Sequence, residues 1–321
     1  MVVVVEVQGE VMVDARLIKV FGKDVPIRKY GCRRFDMDEP LYFDIPRVNL
    51  FIQTTNLCNA NCKFCIYHSC EKKVFNVKKF EEVIKELVNP NYNIGKLNFT
   101  GGEPTLDASL YSELSSIVRD NLDYSRKPEV TLNTNGYNLD VVLKNQDILD
   151  SIGFSRHHFD DELNFDIFQT RKIPNEDEIK SFVDSLSNRN IFQLRCNLIK
   201  DYIDDYDSIT KYMDWAISVG VRDCGFVTLA PNNDFCKNHQ IDFANLVKLS
   251  KDLIKVCSFT RVDDEDLKTE YCQCANYVYS NPNGEMCKFY SRLFCRNDIK
   301  EGMLVFDGEN LRYGFGGEII Y

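Results

Sequence analysis

Cys58, Cys62 and Cys65 stand in the run TTNLCNANCKFC, separated by three and then two residues. Thiolate is the form of cysteine that binds metal, and a loop of this spacing can turn three thiolates towards one cubane iron–sulfur cluster. Such a loop supplies no fourth ligand, so one iron is left open to a small molecule. Taken alone, the three residues also fit a zinc site completed by a distant ligand, or coincidence in a chain of 13 cysteines.

Further residue patterns narrow the choice. Gly101-Gly102-Glu103-Pro104 follows the strand-like run KLNFT and precedes a helical pattern from Asp107 to about Val118. Glycines let backbone approach a ligand closely, and a carboxylate can accept charge-assisted hydrogen bonds from an ammonium group. Thr134-Asn135-Gly136 ends the apolar run EVTLN, and Ser155 ends SIGFS. Arg195 and Asn197 alternate along FQLRCNLI and so share one face of a strand. Each of these last residues has an equally good structural reading as a turn or strand-end residue.

The cysteine loop with Phe64 before its third cysteine, and the GGEP turn after the next strand-like run, resemble the radical S-adenosylmethionine (SAM) superfamily. The resemblance implies a [4Fe-4S] cluster on Cys58, Cys62 and Cys65, with SAM chelating the open iron. One electron from the cluster then cleaves SAM to methionine and a 5′-deoxyadenosyl radical, which takes a hydrogen atom from the substrate. It further implies SAM contacts from Phe64, Gly101, Gly102, Glu103 and Pro104, and from Asn135, Ser155, Arg195 and Asn197. A flavodoxin- or ferredoxin-type protein is the implied electron donor.

These residues need a scaffold. RVNLFIQT, KLNFT, EVTLN, SIGFS, FQLRCNLI and RDCGFVTL read as strands, alternating with helical patterns near 78–88, 108–119, 138–149, 176–187, 206–218 and 242–256. Six β/α units predict an α/β fold, a partial (β/α)6 TIM-like barrel over residues 47–257, with the motifs at the C-terminal ends of the strands. Residues 1–46 read as a short β-rich extension, and 258–321 as a small cysteine-rich appendage.

In that appendage Cys272, Cys274, Cys287 and Cys295 surround an Asn281-Pro282-Asn283-Gly284 turn between two strand-like runs. A hairpin there is expected to bring Cys274 near Cys287. The tail resembles the auxiliary-cluster regions of twitch and SPASM appendages and of the GTP 3′,8-cyclase, although its Cys-x-Cys and Gly284-x2-Cys287 spacings depart from theirs. The resemblance implies a second [4Fe-4S] cluster; free thiols packed in a small domain are the alternative.

Other residues invite weaker roles. His157 and His158 follow Ser155 beside Asp160 and Asp161, but neighbours on an extended segment point opposite ways, so both cannot easily serve one site. Cys236 can be read as a hydrogen-atom donor or as a buried thiol. Cys70, Cys196 and Cys224 read as small core residues. The acidic runs FDDELNFD and RVDDED read as solvated loop faces.

The chain of 321 residues carries 39 basic and 49 acidic residues, a net charge of −10, which argues against nucleic acid as a substrate. Arg28, Lys29, Arg33 and Arg34 form a local basic turn that can be a solvated face or dock an acidic electron donor. MVVVVEVQGEV is too short to span a membrane and lacks the marks of a signal peptide, so the expected location is cytoplasmic. Irregularly spaced cysteines suit reduced thiols and iron ligation. The first functional expectation is a peptide-modifying maturase that cross-links, forms a thioether or epimerises. The second is a small-molecule enzyme acting on a nucleotide or natural-product intermediate, and the remote third a non-catalytic zinc-binding interaction protein.

Overall fold

The computed structural model describes residues 3–7, 10–28, 47–65, 74–88, 93–122, 128–241, 259–261, 275–292 and 303–321. Its strands are β1 (Val3–Val7), β2 (Glu10–Val20), β3 (Lys23–Arg28), β4 (Arg47–Gln53), β5 (Asn93–Thr100), β6 (Glu129–Thr134) and β7 (Ser151–Ser155). They continue with β8 (Phe192–Leu198), β9 (Asp223–Thr228), β10 (Phe259–Arg261), β11 (Ala275–Ser280), β12 (Met286–Arg292), β13 (Met303–Phe306) and β14 (Leu311–Tyr313). The helices are α1 (Val77–Leu87), α2 (Ala108–Asn121), α3 (Leu139–Lys144), α4 (Asp161–Phe168), α5 (Glu176–Ser185), α6 (Tyr206–Ser218) and α7 (Asp234–Asn238). The chain forms two compact units, Met1–Asn56 with Glu71–Leu132 and Cys295–Tyr321, and Leu57–Cys70 with Asn133–Phe294.

In the first unit β4 pairs in parallel with β5, and β5 with the start of β6. On its other side β4 takes up β13, also parallel, and β13 turns back antiparallel into β14. One face of these strands is apolar and buried: Val48, Leu50 and Ile52 on β4, Leu97 and Phe99 on β5. Phe99 meets Tyr111 of α2 at 5.4 Å, and Phe306 meets Phe80 of α1 at 5.6 Å, so helices cover that face. The opposite face is mixed and partly open, with Asn49, Gln53 and Lys96 beside Phe51, whose ring meets Phe315. Both helices start on side-chain caps, Asn76 accepting from the Lys79 N–H and Asp107 from the Leu110 N–H. The β1–β3 segment forms a separate antiparallel meander.

In the second unit β7, β8 and β9 are parallel neighbours, β12 adds in parallel to β9, and β11 and β10 follow antiparallel. Leu194, Cys196 and Leu198 of β8 are buried while Gln193, Arg195 and Asn197 on its other face are partly open, the period of two expected of a half-buried strand.

The expected α/β class and parallel strands are present, with the sheet open rather than closed. The tail departs from a self-contained appendage: β12 lies beside β9 and β13 beside β4, which covers strand edges that otherwise present unpaired backbone groups. The helix expected at 138–149 stops at Lys144, where Asn145 turns its amide back onto the Val141 carbonyl. Helix α4 occupies a segment read from sequence as a solvated loop face, and α7 follows β9 where no helix was expected. The pattern near 242–256 lies outside the described residues.

Candidate cluster-binding site

The three-cysteine loop is fixed from below by the end of helix α4. The last carbonyls of an α-helix have no intrahelical partner, and here two of them are taken by the loop: Asn61 N–H donates to Phe168 O (3.0 Å) and Lys63 N–H to Ile167 O (3.2 Å). The Lys63 ammonium lies at the same helix end, paired with Asp166 at 2.6 Å and bonded to the Tyr202 hydroxyl at 3.1 Å. Tyr202 in turn donates to Asp166 at 2.7 Å, and Lys63 with Tyr202 holds the Asp166 carboxyl below its usual range. Asn233, the cap of α7, donates to the Lys63 carbonyl at 3.2 Å.

On this base Cys58, Cys62 and Cys65 are reduced and half-buried. Burial, then the charges of Cys65 and Cys58, push the Cys62 thiol well up, which is the behaviour of thiols gathered closely without a cation among them. The donor set therefore fits a metal group that would stabilise all three as thiolates. Among the described residues no three His, Cys, Asp or Glu side chains close on a single ion.

Asn135 sits against the loop. Its amide donates to Asn59 Oδ1 at 2.9 Å and to Cys58 Sγ at 3.6 Å, while its own Oδ1 accepts the Tyr137 N–H at 3.1 Å. The Ala60 N–H also points at Cys58 Sγ, at 3.4 Å. Gly136, at φ 85°, follows because a Cβ there would strike the Phe154 ring and Pro174.

Phe64 packs edge-on to His157 with ring centroids 4.8 Å apart, and His157 stacks on Phe168 at 4.9 Å. The His157 Nδ1 accepts the Asn197 N–H at 3.0 Å, and burial with the nearby Arg156 lowers its pKa to about 3. It is a neutral, buried support for Phe64. His158, also buried, uses Nδ1 to accept the Asp160 N–H at 2.9 Å. Cys236 is 1% exposed, packs with Ile167, Ile199 and Leu229, and donates to the Phe64 carbonyl at 3.5 Å. His157 and His158, each 4% exposed, and Cys236, read from sequence as weak catalytic candidates, are thus all enclosed in packing.

Ser155 and Arg195 are neighbours in register across β7 and β8. Arg195 bonds Gln193, and Gln193 donates to Asp223 at 3.2 Å, so the partly open face of β8 carries a polar row that includes Asn197.

The GGEP turn belongs to the first unit. The Gly102 N–H donates to the Thr55 carbonyl at 2.7 Å, and Gly101 at φ 137° leaves no room for a Cβ against that same carbonyl. Glu103 is 1% exposed, with Oε1 held by the Thr105 N–H (3.0 Å) and hydroxyl (2.7 Å), and Pro104 is buried beside it.

The tail behaves differently. The expected hairpin is β11–β12, but its register sets Cys287 opposite Tyr279 near the turn, and Ala275 opposite Ser291 at the far end. Cys287 is 1% exposed and its sulfur lies 3.8 Å from Cys224 in the core. Cys272, Cys274 and Cys295, like Cys70, Lys29, Arg33 and Arg34, lie outside the described residues.

Sequence reasoning missed Arg156, which is fully buried, donates to the carbonyls of His158, Phe159 and Pro174 and to Asp161, and stands over the Trp215 ring. It also missed α4. The signal was present in Asp160, a cap whose carboxylate accepts the Leu163 N–H, followed by an acidic first turn.

Residues 52–199 match the radical SAM superfamily profile. The chain carries a radical SAM domain. Among curated relatives, a putative glycyl-radical enzyme activating enzyme of Methanocaldococcus jannaschii is 36% identical over 103 residues, covering 32% of this chain and 35% of that protein. A probable GTP 3′,8-cyclase of Sulfurisphaera tokodaii is 25% identical over 256 residues, covering 77% of this chain and 75% of the relative. Among solved structures, Streptococcus suis SuiB bound to the precursor peptide SuiA aligns with a TM-score of 0.52 at 16% identity, covering 72% of this chain and 47% of SuiB. The enzyme anSMEcpe with AdoMet and a peptide gives 0.52 at 16%, covering 66% of this chain and 60% of that one. The chain thus spans about a third of the activating-enzyme relative and under half of SuiB, and the structural likenesses speak to fold alone. No described helix is long and apolar enough to cross a membrane.

Proposed function

We propose that this protein is a radical SAM enzyme that abstracts a hydrogen atom from a peptide or protein side chain. The observation that carries the chemistry is the loop itself, with three half-buried cysteines gathered on the end of α4. In this reading Cys58, Cys62 and Cys65 hold a [4Fe-4S] cluster, and the bound cluster with SAM supplies one-electron cleavage and a hydrogen-abstracting radical. The chain's residues bind and orient. Within the first unit Glu103, its carboxylate held by Thr105, is the residue suited to accept the methionine ammonium. Ser155, Arg195 and Asn197 supply polar contacts from the partly open strand face, and Phe64 an apolar wall. The buried layer of His157, Phe168 and Cys236 behind Phe64 keeps water from that side. A flavodoxin- or ferredoxin-type protein delivers the electron.

A peptide substrate is supported by the SuiB and anSMEcpe structures, both described with peptides bound, and by the activating-enzyme relative. A second reading, a nucleotide or other small molecule, is favoured by the breadth of the match to the GTP 3′,8-cyclase. Of the expected auxiliary ligands, Cys287 packs as a core thiol against Cys224. Deuterium transfer into 5′-deoxyadenosine separates the substrates. Transfer from a perdeuterated peptide pool and none from deuterated GTP is expected; the reverse overturns the peptide reading.

A further inference from the structure

We infer that Asn135 is a positioning residue for the cluster, setting the charge on the Cys58 sulfur and hence the ease with which the cluster is reduced. This rests on the assignment of the three-cysteine loop as the cluster site. Asn135 has the family resemblance of a ribose contact, but its geometry serves the loop: the amide Nδ2 spans Asn59 Oδ1 at 2.9 Å and Cys58 Sγ at 3.6 Å. The amide cannot turn away freely, because Oδ1 accepts the Tyr137 N–H at 3.1 Å and the side chain is 7% exposed. Asn59 is held in turn, donating to the Lys172 carbonyl at 2.7 Å. Gly136 lets the chain make this turn at a positive φ that an L side chain rarely adopts.

The sulfur of Cys58 thus receives two N–H donors, the Ala60 backbone at 3.4 Å and Asn135. Hydrogen bonds to ligand sulfurs draw off negative charge and favour the cluster after it has gained one electron from its external donor. Asn135 itself neither gives nor takes an electron or a proton.

The test is an EPR-monitored redox titration of the anaerobically reconstituted full chain, with iron counted in each sample. Asn135→Asp keeps the acceptor for Tyr137 and removes the donor; Asn135→Ala removes both. With iron content near wild type, the ratio of reduced to oxidised cluster at a fixed potential should fall about threefold to tenfold in both variants, a shift of about 28–59 mV towards negative values at about 59 mV per decade. An unchanged midpoint in iron-loaded variants overturns the inference. Loss of iron from both variants also overturns it, assigning Asn135 to loop folding alone. A wild-type protein that takes up no iron would instead refute the cluster assignment on which the inference stands.

Discussion

Two groups of cysteines in the second unit have opposite surroundings. Cys58, Cys62 and Cys65 are half-buried on a loop whose backbone is pinned by helix carbonyls, with N–H donors at the Cys58 sulfur. Cys224 and Cys287 lie 3.8 Å apart between β9 and β12, fully enclosed, and burial followed by the contact with Cys287 drives the Cys224 thiol well up. Proximity alone does not make a metal site. Ligands need access for the metal, a backbone that holds them without filling the space between them, and a route to the deprotonated form. The loop has the first two, and a bound cluster would supply the third by stabilising the thiolates, whereas the β9–β12 pair has only proximity.

The largest effect that distinguishes the groups is iron uptake. The Cys58/Cys62/Cys65 triple alanine variant is expected to lose all cluster iron, while Cys224→Ala and Cys287→Ala keep the wild-type content, measured by colorimetric iron assay after reconstitution. Iron lost on replacing Cys287 would move that residue out of the core and into a ligand set.

Stability should move the other way. Cys224→Ser places a hydroxyl in a fully apolar strand interface and should cost about 1–3 kcal/mol in urea unfolding, with iron unchanged. Cost-free substitution would show that the pair is less tightly enclosed than its burial indicates.

His157, which supports Phe64 beside the third ligand, gives a pH signature. Its folded pKa is lowered to about 3 by burial and Arg156, against about 6.5 in the unfolded chain. Its neutral form is therefore favoured by folding, so its contribution is complete above the unfolded value and is lost as pH falls from about 6.5 towards 3. The stability lost between pH 7 and pH 5 should be smaller by about 2 kcal/mol in His157→Gln. Equal losses in both proteins would mean that His157 titrates normally.

The smallest effect concerns the tie beneath the loop. Asp166→Asn weakens a partly exposed ion pair with Lys63 and should cost about 0.2–1 kcal/mol, readable in urea and shrinking in high salt. A drop in iron content would show that the pair is needed for the loop's shape rather than only its stability.

The parts legible in the sequence were those where chemistry dictates residue type. The spacing of Cys58, Cys62 and Cys65 and the GGEP turn mark a site by residue type alone, and alternation along FQLRCNLI fixes which residues of β8 face together. What was illegible depends on partners distant in the chain. FDDELNFD is acidic enough to pass for a loop, and only the Asn61 and Lys63 N–H bonds to its carbonyls reveal α4 as the platform of the site. Composition likewise cannot place Cys287, because hairpin register is set by pairing along the whole strand, and it puts Tyr279 opposite. Arg156 was passed over because arginines are seldom buried; four acceptors and the Trp215 ring satisfy it.

The most direct measurement of the central claim is 5′-deoxyadenosine released from SAM under anaerobic dithionite reduction, comparing wild type with Cys58→Ala, Cys62→Ala and Cys65→Ala. Each substitution removes one ligand from a site that has no spare, so release from the wild type and none above the protein-free background from any variant is expected. Wild-type release from the three single variants, or none from an iron-loaded wild type, would contradict the account.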